Sequence, residues 1–298
     1  CWSTLFVLPF REDPCERSEQ GGGFFRGLAM TPGRYLSFET VAEDYDQTRV
    51  IPGPQLDEIA RILAREAHLE RGGLFLDAGV GTGRFAAPLA RLHPAQVVGM
   101  DIAPAMMERI GAKAAPGSLL LAQADLQRMP FGSGVFAGAL LVHILHLVEH
   151  WTLVLEEIRR ILFPKTGVLF LGVEMGGRSK LVNFYFERAR ARRVLASSLG
   201  SAGLTPALAY LRRSEREGGA GAKVVLLETS KLAWKRVVPT AATLDSLARR
   251  TYSQTWNIPD DAHQELMAAT NLYAAQIFPK RDAAETLKSR FMLYKAGW

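Results

Sequence analysis

Residues 74–84 read Leu-Phe-Leu-Asp-Ala-Gly-Val-Gly-Thr-Gly-Arg, and their types suit the binding of a nucleotide-like ligand. A short apolar run stops at Asp77, and Gly79, Gly81 and Gly83 follow at alternating positions. Glycines there let backbone approach a ligand where a Cβ would otherwise stand. A dinucleotide fingerprint needs G-x-G-x-x-G, but its third glycine, counted from Gly79, falls on Arg84. A second apolar run, 96–100, ends in Asp101, 24 residues after Asp77. An acid at the end of a second strand can accept hydrogen bonds from both hydroxyls of a ribose. A third apolar run ends in Asp125-Leu126. The run after it ends at Leu141 and places Val142, His143 and His146 at the same rim. An imidazole there can act as a base near neutral pH. His143 and His146 have no carboxylate placed to complete a metal site, so none is expected. Arg84, where the next helix opens, reads as a solvated side chain.

These residues need a scaffold. Apolar runs at about 74–78, 96–101, 118–123, 135–141 and 167–173 alternate with helical patterns at 83–92, 104–114 and 151–162. Such alternation implies a parallel sheet covered on both faces, with right-handed crossovers. Gln55 to His68 forms an amphipathic helix ahead of it. After Gly176 the rhythm changes. Helices are expected at 181–199 and 206–217, and a strand at 223–228 that can continue as a paired stretch through Trp234. Two helices follow, 240–250 and 260–277, and then a last strand, 287–294.

The D-x-G-x-G-T-G pattern of 77–83 resembles the first motif of the class I S-adenosylmethionine-dependent methyltransferases. Ile102 to Met107 resembles the family's D-[IL]-S-x-x-M continuation, with Ala103 for the usual Ser. Met129-Pro130-Phe131 and Val135 to Val148 are similar to its strand 4 region. Residues 156–169 resemble E..RvLkPGG.l, departing from it at Phe163 and Lys165-Thr166. The resemblance runs from about Val41 to Val173, in the flavour of the ubiquinone/menaquinone-type small-molecule enzymes. It implies a Rossmann-like, seven-stranded, mostly parallel α/β sheet, with strand 7 antiparallel between strands 5 and 6 and a helical lid at about 240–282. It implies a cofactor core at about 41–176 and a substrate part at 177–298. S-adenosylmethionine is the implied donor and S-adenosylhomocysteine the product. The implied cofactor residues are Tyr45, Arg49, Asp77, Ala78, Gly79, Gly81, Thr82, Gly83, Asp101, Ile102, Met106, Asp125, Leu126, Val142 and His143. Within that set Asp125 faces the adenine amino group, Tyr45 closes over the donor and Arg49 pairs its carboxylate. His143 and Tyr45 are the candidates for a catalytic role, with lining of the donor pocket the other reading of His143.

Composition sets bounds. The 298 residues are 48% hydrophobic and 22% charged, as in an ordinary globular protein. No apolar run reaches the 18 residues of a membrane span. Cys1 and Cys15 are the only cysteines. Both precede the body, so a disulfide, a cysteine metal site or a cysteine mechanism there is not expected, which fits a reducing cytoplasm. Residues 1–29 read as a tail outside the fold, with Met30 a natural start and 30–298 the folded domain. The net charge of +6 is local: Arg178 to Arg216 holds nine basic residues against Glu187 and Glu215. That segment reads as a solvated helix face or as a surface for an acidic partner. The functional expectation is methyl transfer to a small-molecule acceptor at O, N or C. Alternatives are an RNA or protein methyltransferase using the basic segment, and a non-catalytic S-adenosylmethionine-binding scaffold. The Leu-Leu-Val-His run at 140–143 speaks against base-amine methylation, which uses Asn/Asp-Pro-Pro-Tyr to clamp a flipped base. Tyr252, Trp256 and Tyr273 are candidates for one aromatic wall against a planar acceptor.

Overall fold

The computed structural model describes residues 50–94, 96–195, 204–213, 221–227, 230–280 and 282–298. Helix α1 (Gly53–Glu66) starts behind Pro52 and buries Ile59, Ile62 and Leu63. The strands β1 (Leu74–Ala78), β2 (Val97–Asp101), β3 (Leu119–Gln123), β4 (Phe136–Val142) and β5 (Val168–Gly176) follow, with α2 (Ala86–Leu92), α3 (Pro104–Glu108) and α4 (Trp151–Ile161) between them. Beyond them lie α5 (Lys180–Ala191), α6 (Leu204–Arg213), β6 (Lys223–Leu226), β7 (Ala233–Pro239), α7 (Thr240–Ala248), α8 (Asp260–Ile277) and β8 (Ala284–Gly297). The sheet order is β3-β2-β1-β4-β5-β8-β6, with β7 also on β8. β1 to β5 are mutually parallel, and β8 runs antiparallel to β5, β6 and β7. This is the Rossmann-like sheet with an antiparallel insertion that the resemblance implies, but with eight strands among the described residues in place of seven.

The eighth strand comes from the edge. The run expected to continue from residue 223 through Trp234 breaks at a 3₁₀ turn, Ser230–Leu232, and resumes as β7 out to Pro239. β6 pairs with the second half of β8 and β7 with its first half. β8 is also longer than expected. Its side chains alternate buried and exposed from Ala284 to Phe291, so Lys288 and Arg290 point to solvent while Leu287, Ser289 and Phe291 point inward. β5 ends at Gly176, opposite Ser289, whereas β8 and β7 stay paired as far as Ala284 and Pro239. The β7–β8 ribbon therefore projects past the carboxyl end of β5.

One core face packs Ile59, Leu63, Phe75, Phe85, Leu89, Phe170 and Phe291. The other packs Leu76, Phe136, Leu155, Ile158, Leu169 and Leu211. Helix α5 is shorter than the expected 181–199. Arg193 takes a left-handed φ of 56°, and the Val194 N–H reaches back to the Ala189 carbonyl at 3.1 Å. That closes the helix as a glycine C-cap would, without a glycine to announce it. The remainder of that expected helix, and the end of the one expected at 206–217, lie outside the described residues. Among the described residues no helix is long and apolar enough to cross a membrane.

Helices α5, α7 and α8 share a third apolar cluster: Val182, Tyr185, Phe186, Leu247, Ile258 and Leu266. Glu285 of β8 ties α5 to the ribbon by accepting from the Ser179 hydroxyl and, at 2.9 Å, from the Lys180 N–H. A carboxylate at a helix N-terminus complements the macrodipole. Inside the cluster the Tyr185 hydroxyl lies 2.6 Å from His263 Nδ1, and His263 Nε2 lies 3.3 Å from the Ala248 carbonyl. A carbonyl only accepts, so Nε2 carries the hydrogen and Nδ1 accepts from Tyr185. Burial raises the Tyr185 pKa to about 12. Burial also lowers that of His263; the Ala248 carbonyl opposes the shift, Arg250 reinforces it and Asp260 opposes it. Because the folded value lies below the unfolded one, the imidazole's contribution to stability is present above the ordinary histidine range. It is lost as pH falls through it. The thermal midpoint should therefore drop between about pH 7 and pH 5, and His263→Gln should flatten that slope. An unchanged slope would show that His263 is not the group that titrates.

Candidate functional site

The turn after β1 is built on three left-handed glycines, Gly79 (φ 83°), Gly81 (φ 52°) and Gly83 (φ 76°). At Gly81 a Cβ would meet only Met106 Cε, at 3.5 Å, so backbone conformation rather than space selects glycine there. The Gly79 and Val80 N–H groups donate to the Met100 carbonyl at 2.8 and 2.9 Å, which locks the turn onto β2. Asp101, the last residue of β2, accepts from the Gly81 N–H on Oδ2 at 2.8 Å and from the Ala103 N–H on Oδ1 at 3.0 Å. The acid is thus held against the turn by two backbone donors. Ile102 beside it is exposed, while Met106 and Thr82 are buried. Lys113 Nζ donates to the Thr82 carbonyl at 2.8 Å.

Asp77 ends the apolar part of β1 with 3% of its surface exposed. Its Oδ2 has no hydrogen-bond partner. Burial raises its pKa to about 7, the Ala86 N–H opposes the rise, Asp101 adds to it and Arg84 opposes it. Ala78 is fully buried behind it.

Asp125 is exposed and its Oδ1 accepts from the Gln127 N–H at 2.9 Å; Leu126 is buried. Two stretches noted in the sequence fix this loop together. Arg160 donates to the carbonyls of Phe131 (2.7 Å) and Met129 (3.1 Å), and Glu157 accepts from the Met129 N–H at 2.8 Å. Lys165, which stands where the family pattern has glycine, takes the left-handed conformation anyway, at φ 64°.

At the end of β4, Val142 and His143 are half-buried, and His143 has a φ of 53°. Its Nε2 accepts from the backbone N–H of Glu174 at 3.4 Å. His146 sits in the short 3₁₀ turn Leu145–Leu147. Among the described residues no group of His, Cys, Asp or Glu side chains could hold a metal ion. Tyr45 and Arg49 lie outside the described residues.

Two expectations are corrected. Arg84 is not a solvated side chain: it is 12% exposed, and its Nη1 lies 3.8 Å from Glu174 Oε2. The guanidinium also stands over the Phe85 ring, 4.7 Å from its centroid. Glu174 went unnoticed because β5 was expected to stop at residue 173. A lone acid in an otherwise apolar strand was the available signal. The second correction concerns the aromatics. Tyr252 packs edge-on to Phe186 and Tyr273 stacks on Phe184 at 4.1 Å, so they lie on different sides of α5. Trp256 donates its indole N–H to the Arg250 carbonyl at 2.9 Å. These side chains assemble the helical unit and do not form one wall.

The basic segment is also partly spoken for. Arg192 pairs with Glu265, and Arg188 and Arg178 lie over Phe184 and Phe186. A shallow depression of about 440 Å³ between the ends of α1 and α2, lined by Arg61, His68, Leu92 and His93, lies at the opposite end of the sheet from the glycine turn.

Residues 76–171 match the family model for a methyltransferase domain. The malonyl-(acyl-carrier protein) O-methyltransferase of Legionella pneumophila is 32% identical over 45% of this chain, which spans 48% of that relative. The ubiquinone/menaquinone biosynthesis C-methyltransferase UbiE of Syntrophotalea carbinolica is 30% identical over 53% of this chain and 68% of its own length. Among solved structures, the YcgJ protein of Bacillus subtilis superposes with a TM-score of 0.51 at 15% identity, covering 80% of this chain and 97% of that one. The parallel sheet, the glycine turn with its acid at the end of β2, and these likenesses converge: the chain belongs to the class I S-adenosylmethionine-dependent methyltransferases.

Proposed function

We propose that this protein transfers the methyl group of S-adenosylmethionine to a small organic acceptor, at an O, N or C atom. The observation that carries the donor half is the carboxylate of Asp101, held by the Gly81 and Ala103 N–H groups beside the exposed Ile102. A carboxylate so held keeps lone pairs for two vicinal hydroxyls, and an exposed apolar side chain next to it offers a face to a purine. Asp77, Ala78, Gly79, Gly81, Thr82, Gly83, Ile102, Met106, Asp125, Leu126, Val142 and His143 complete the proposed donor site, with Tyr45 and Arg49 carried over from the family resemblance. When bound, S-adenosylmethionine supplies a methyl group already activated on a sulfonium, and S-adenosylhomocysteine remains after transfer.

The protein's own task is alignment and exclusion of water. The glycine turn and Asp101 orient one partner. The ribbon β7–β8 and the helices α5, α7 and α8 stand beside the carboxyl ends of the strands, where open α/β sheets take their ligands. His143 is proposed to line the site at the end of β4 and not to serve as the base, because its Nε2 already accepts from the Glu174 N–H and a neutral ring then carries its hydrogen on Nδ1. A small acceptor is favoured because one relative named above is a ubiquinone/menaquinone biosynthesis enzyme, and because arginines of the basic segment already engage Glu265, Phe184 and Phe186.

Calorimetric titration of the chain should show binding of S-adenosylmethionine and S-adenosylhomocysteine and none of NAD. Asp101→Ala should weaken both adenosyl ligands by about tenfold or more, since it removes a charged acceptor. Wild-type affinity in a folded Asp101→Ala sample would remove the ribose assignment. Donor affinity should also depend on pH. A cation near Asp77 favours its ionised form, so binding should strengthen as pH rises towards about 7, the value to which burial lifts this carboxyl, and should release a proton. Asp77→Asn should abolish that dependence; its persistence would place the titrating group elsewhere.

A further inference from the structure

Two polar atoms on the inner face of the β7–β8 ribbon are left over by the fold. Trp234 and Ser289 are direct cross-strand partners, and only 8% and 5% exposed. Trp234 Nε1 and Ser289 Oγ are both buried, and among the described residues neither has a hydrogen-bond partner. A buried polar atom left unpaired is costly, whereas an apolar group of the same shape in its place can be neutral or stabilising. An indole N–H only donates, so the group that completes this pair must offer an acceptor atom.

Their placement points to a ligand. Ser289 also lies opposite Gly176, the last residue of β5. Gly176, Ser289 and Trp234 thus form one row across three strands, about 4.8 Å from strand to strand. A Cβ on Gly176 would come within 2.5 Å of Ser289 Oγ, and the backbone of Gly176 is not left-handed. Space beside the hydroxyl, and not backbone conformation, therefore excludes a side chain there. Gly176 and Gly177 are themselves exposed, so the row borders solvent at the carboxyl end of β5. Glu174 stands two residues back along β5 and so on the same face, with its Oε2 3.8 Å from Nη1 of Arg84 beside the glycine turn. The row lies on that face, one step further out, where open α/β sheets take their ligands.

Resting on the methyl-transfer reading above, we propose that Trp234 and Ser289 bind the acceptor molecule by a carbonyl or carboxylate oxygen. Such an oxygen has two lone pairs, one for each donor. The acceptor is therefore a small organic molecule that carries this group. The two side chains serve the acceptor and not S-adenosylmethionine, so their loss acts on one ligand class only. Because neither donor is used within the fold, Ser289→Ala should leave the thermal midpoint unchanged or higher. A hydroxyl bonded within the fold would have the opposite effect.

The experiment is nuclear magnetic resonance of the full chain with isotope-labelled tryptophan indoles, in the presence of S-adenosylhomocysteine, titrated with benzoate, acetophenone and ethylbenzene. Trp234→Phe identifies the Trp234 indole proton by its disappearance. Benzoate or acetophenone should move that proton downfield. Ethylbenzene, which has the ring and no oxygen, should not move it. The tighter of the two oxygen-bearing probes tells carboxylate from carbonyl. Ser289→Ala should weaken that probe about three- to tenfold, the scale of one hydrogen bond, and leave the calorimetric affinity for S-adenosylhomocysteine at the wild-type value. No movement of the Trp234 proton with either oxygen-bearing probe, an equal response to ethylbenzene, or a lowered thermal midpoint in Ser289→Ala overturns the proposal and leaves the donor assignment standing. A wild-type chain that binds no S-adenosylhomocysteine, while its Trp234 proton still answers the oxygen-bearing probes, overturns the methyl-transfer reading and leaves the oxygen site standing.

Discussion

The glycine corner is organised around a carboxyl group that has been taken out of water. Asp77 sits at the end of a buried strand with one oxygen unpartnered and Ala86 as its backbone donor. A group in that position is costly unless donors converge on it or charge approaches it. The chain answers with a turn that only left-handed residues can make, which brings backbone N–H groups round the strand end. The turn is then pinned from the other side by Asp101 and by the Met100 carbonyl. Two acids in one corner repel, which is part of why the Asp77 pKa is raised, and Arg84 partly relieves it. The glycines, the second acid and the arginine therefore form one electrostatic arrangement.

The same corner is braced from the far side of the sheet. Gly172 of β5 has no Cβ where Phe291 passes; a methyl there would come within 2.4 Å of its ring. Phe291 then reaches Phe85, with ring centroids 5.2 Å apart, and Phe85 carries Arg84 over its face. An inserted antiparallel strand, a missing side chain in its neighbour and two aromatic rings thus set where the guanidinium stands. In a close-packed interior such a chain of contacts transmits position with little slack.

This also explains what could be read from the sequence. The glycine corner was legible because its demands fall on residue types: only glycine takes three left-handed φ values in five residues at no cost, and an acid at the end of β2 accepts from two backbone N–H groups. The parallel core was legible because strands covered on both faces are continuous apolar runs. Glu174 was not, since its meaning comes from Arg84, 90 positions earlier in the chain. The eighth strand was hidden because β6 and β7 are two pieces of one edge on β8, with a turn between them that carries no glycine or proline. The end of α5 was missed for a similar reason, as Arg193 does there what glycine usually does.

The two halves of the molecule consequently tolerate change differently. At the glycine turn the constraint is on backbone conformation and charge, so few residue types satisfy it at any one position. In α5, α7 and α8 the constraint is on volume and on pairing: Tyr273 against Phe184, Tyr252 against Phe186, Tyr185 against His263. Many combinations of side chains fill such a space if their total volume is kept. Substitution in these helices can therefore reshape the surface that stands beside the strand ends while leaving the turn, Asp77 and Asp101 as they are. The glycine corner can then be kept while the helical side diverges, with the β7–β8 ribbon and the Glu285 clamp on α5 holding the two in register.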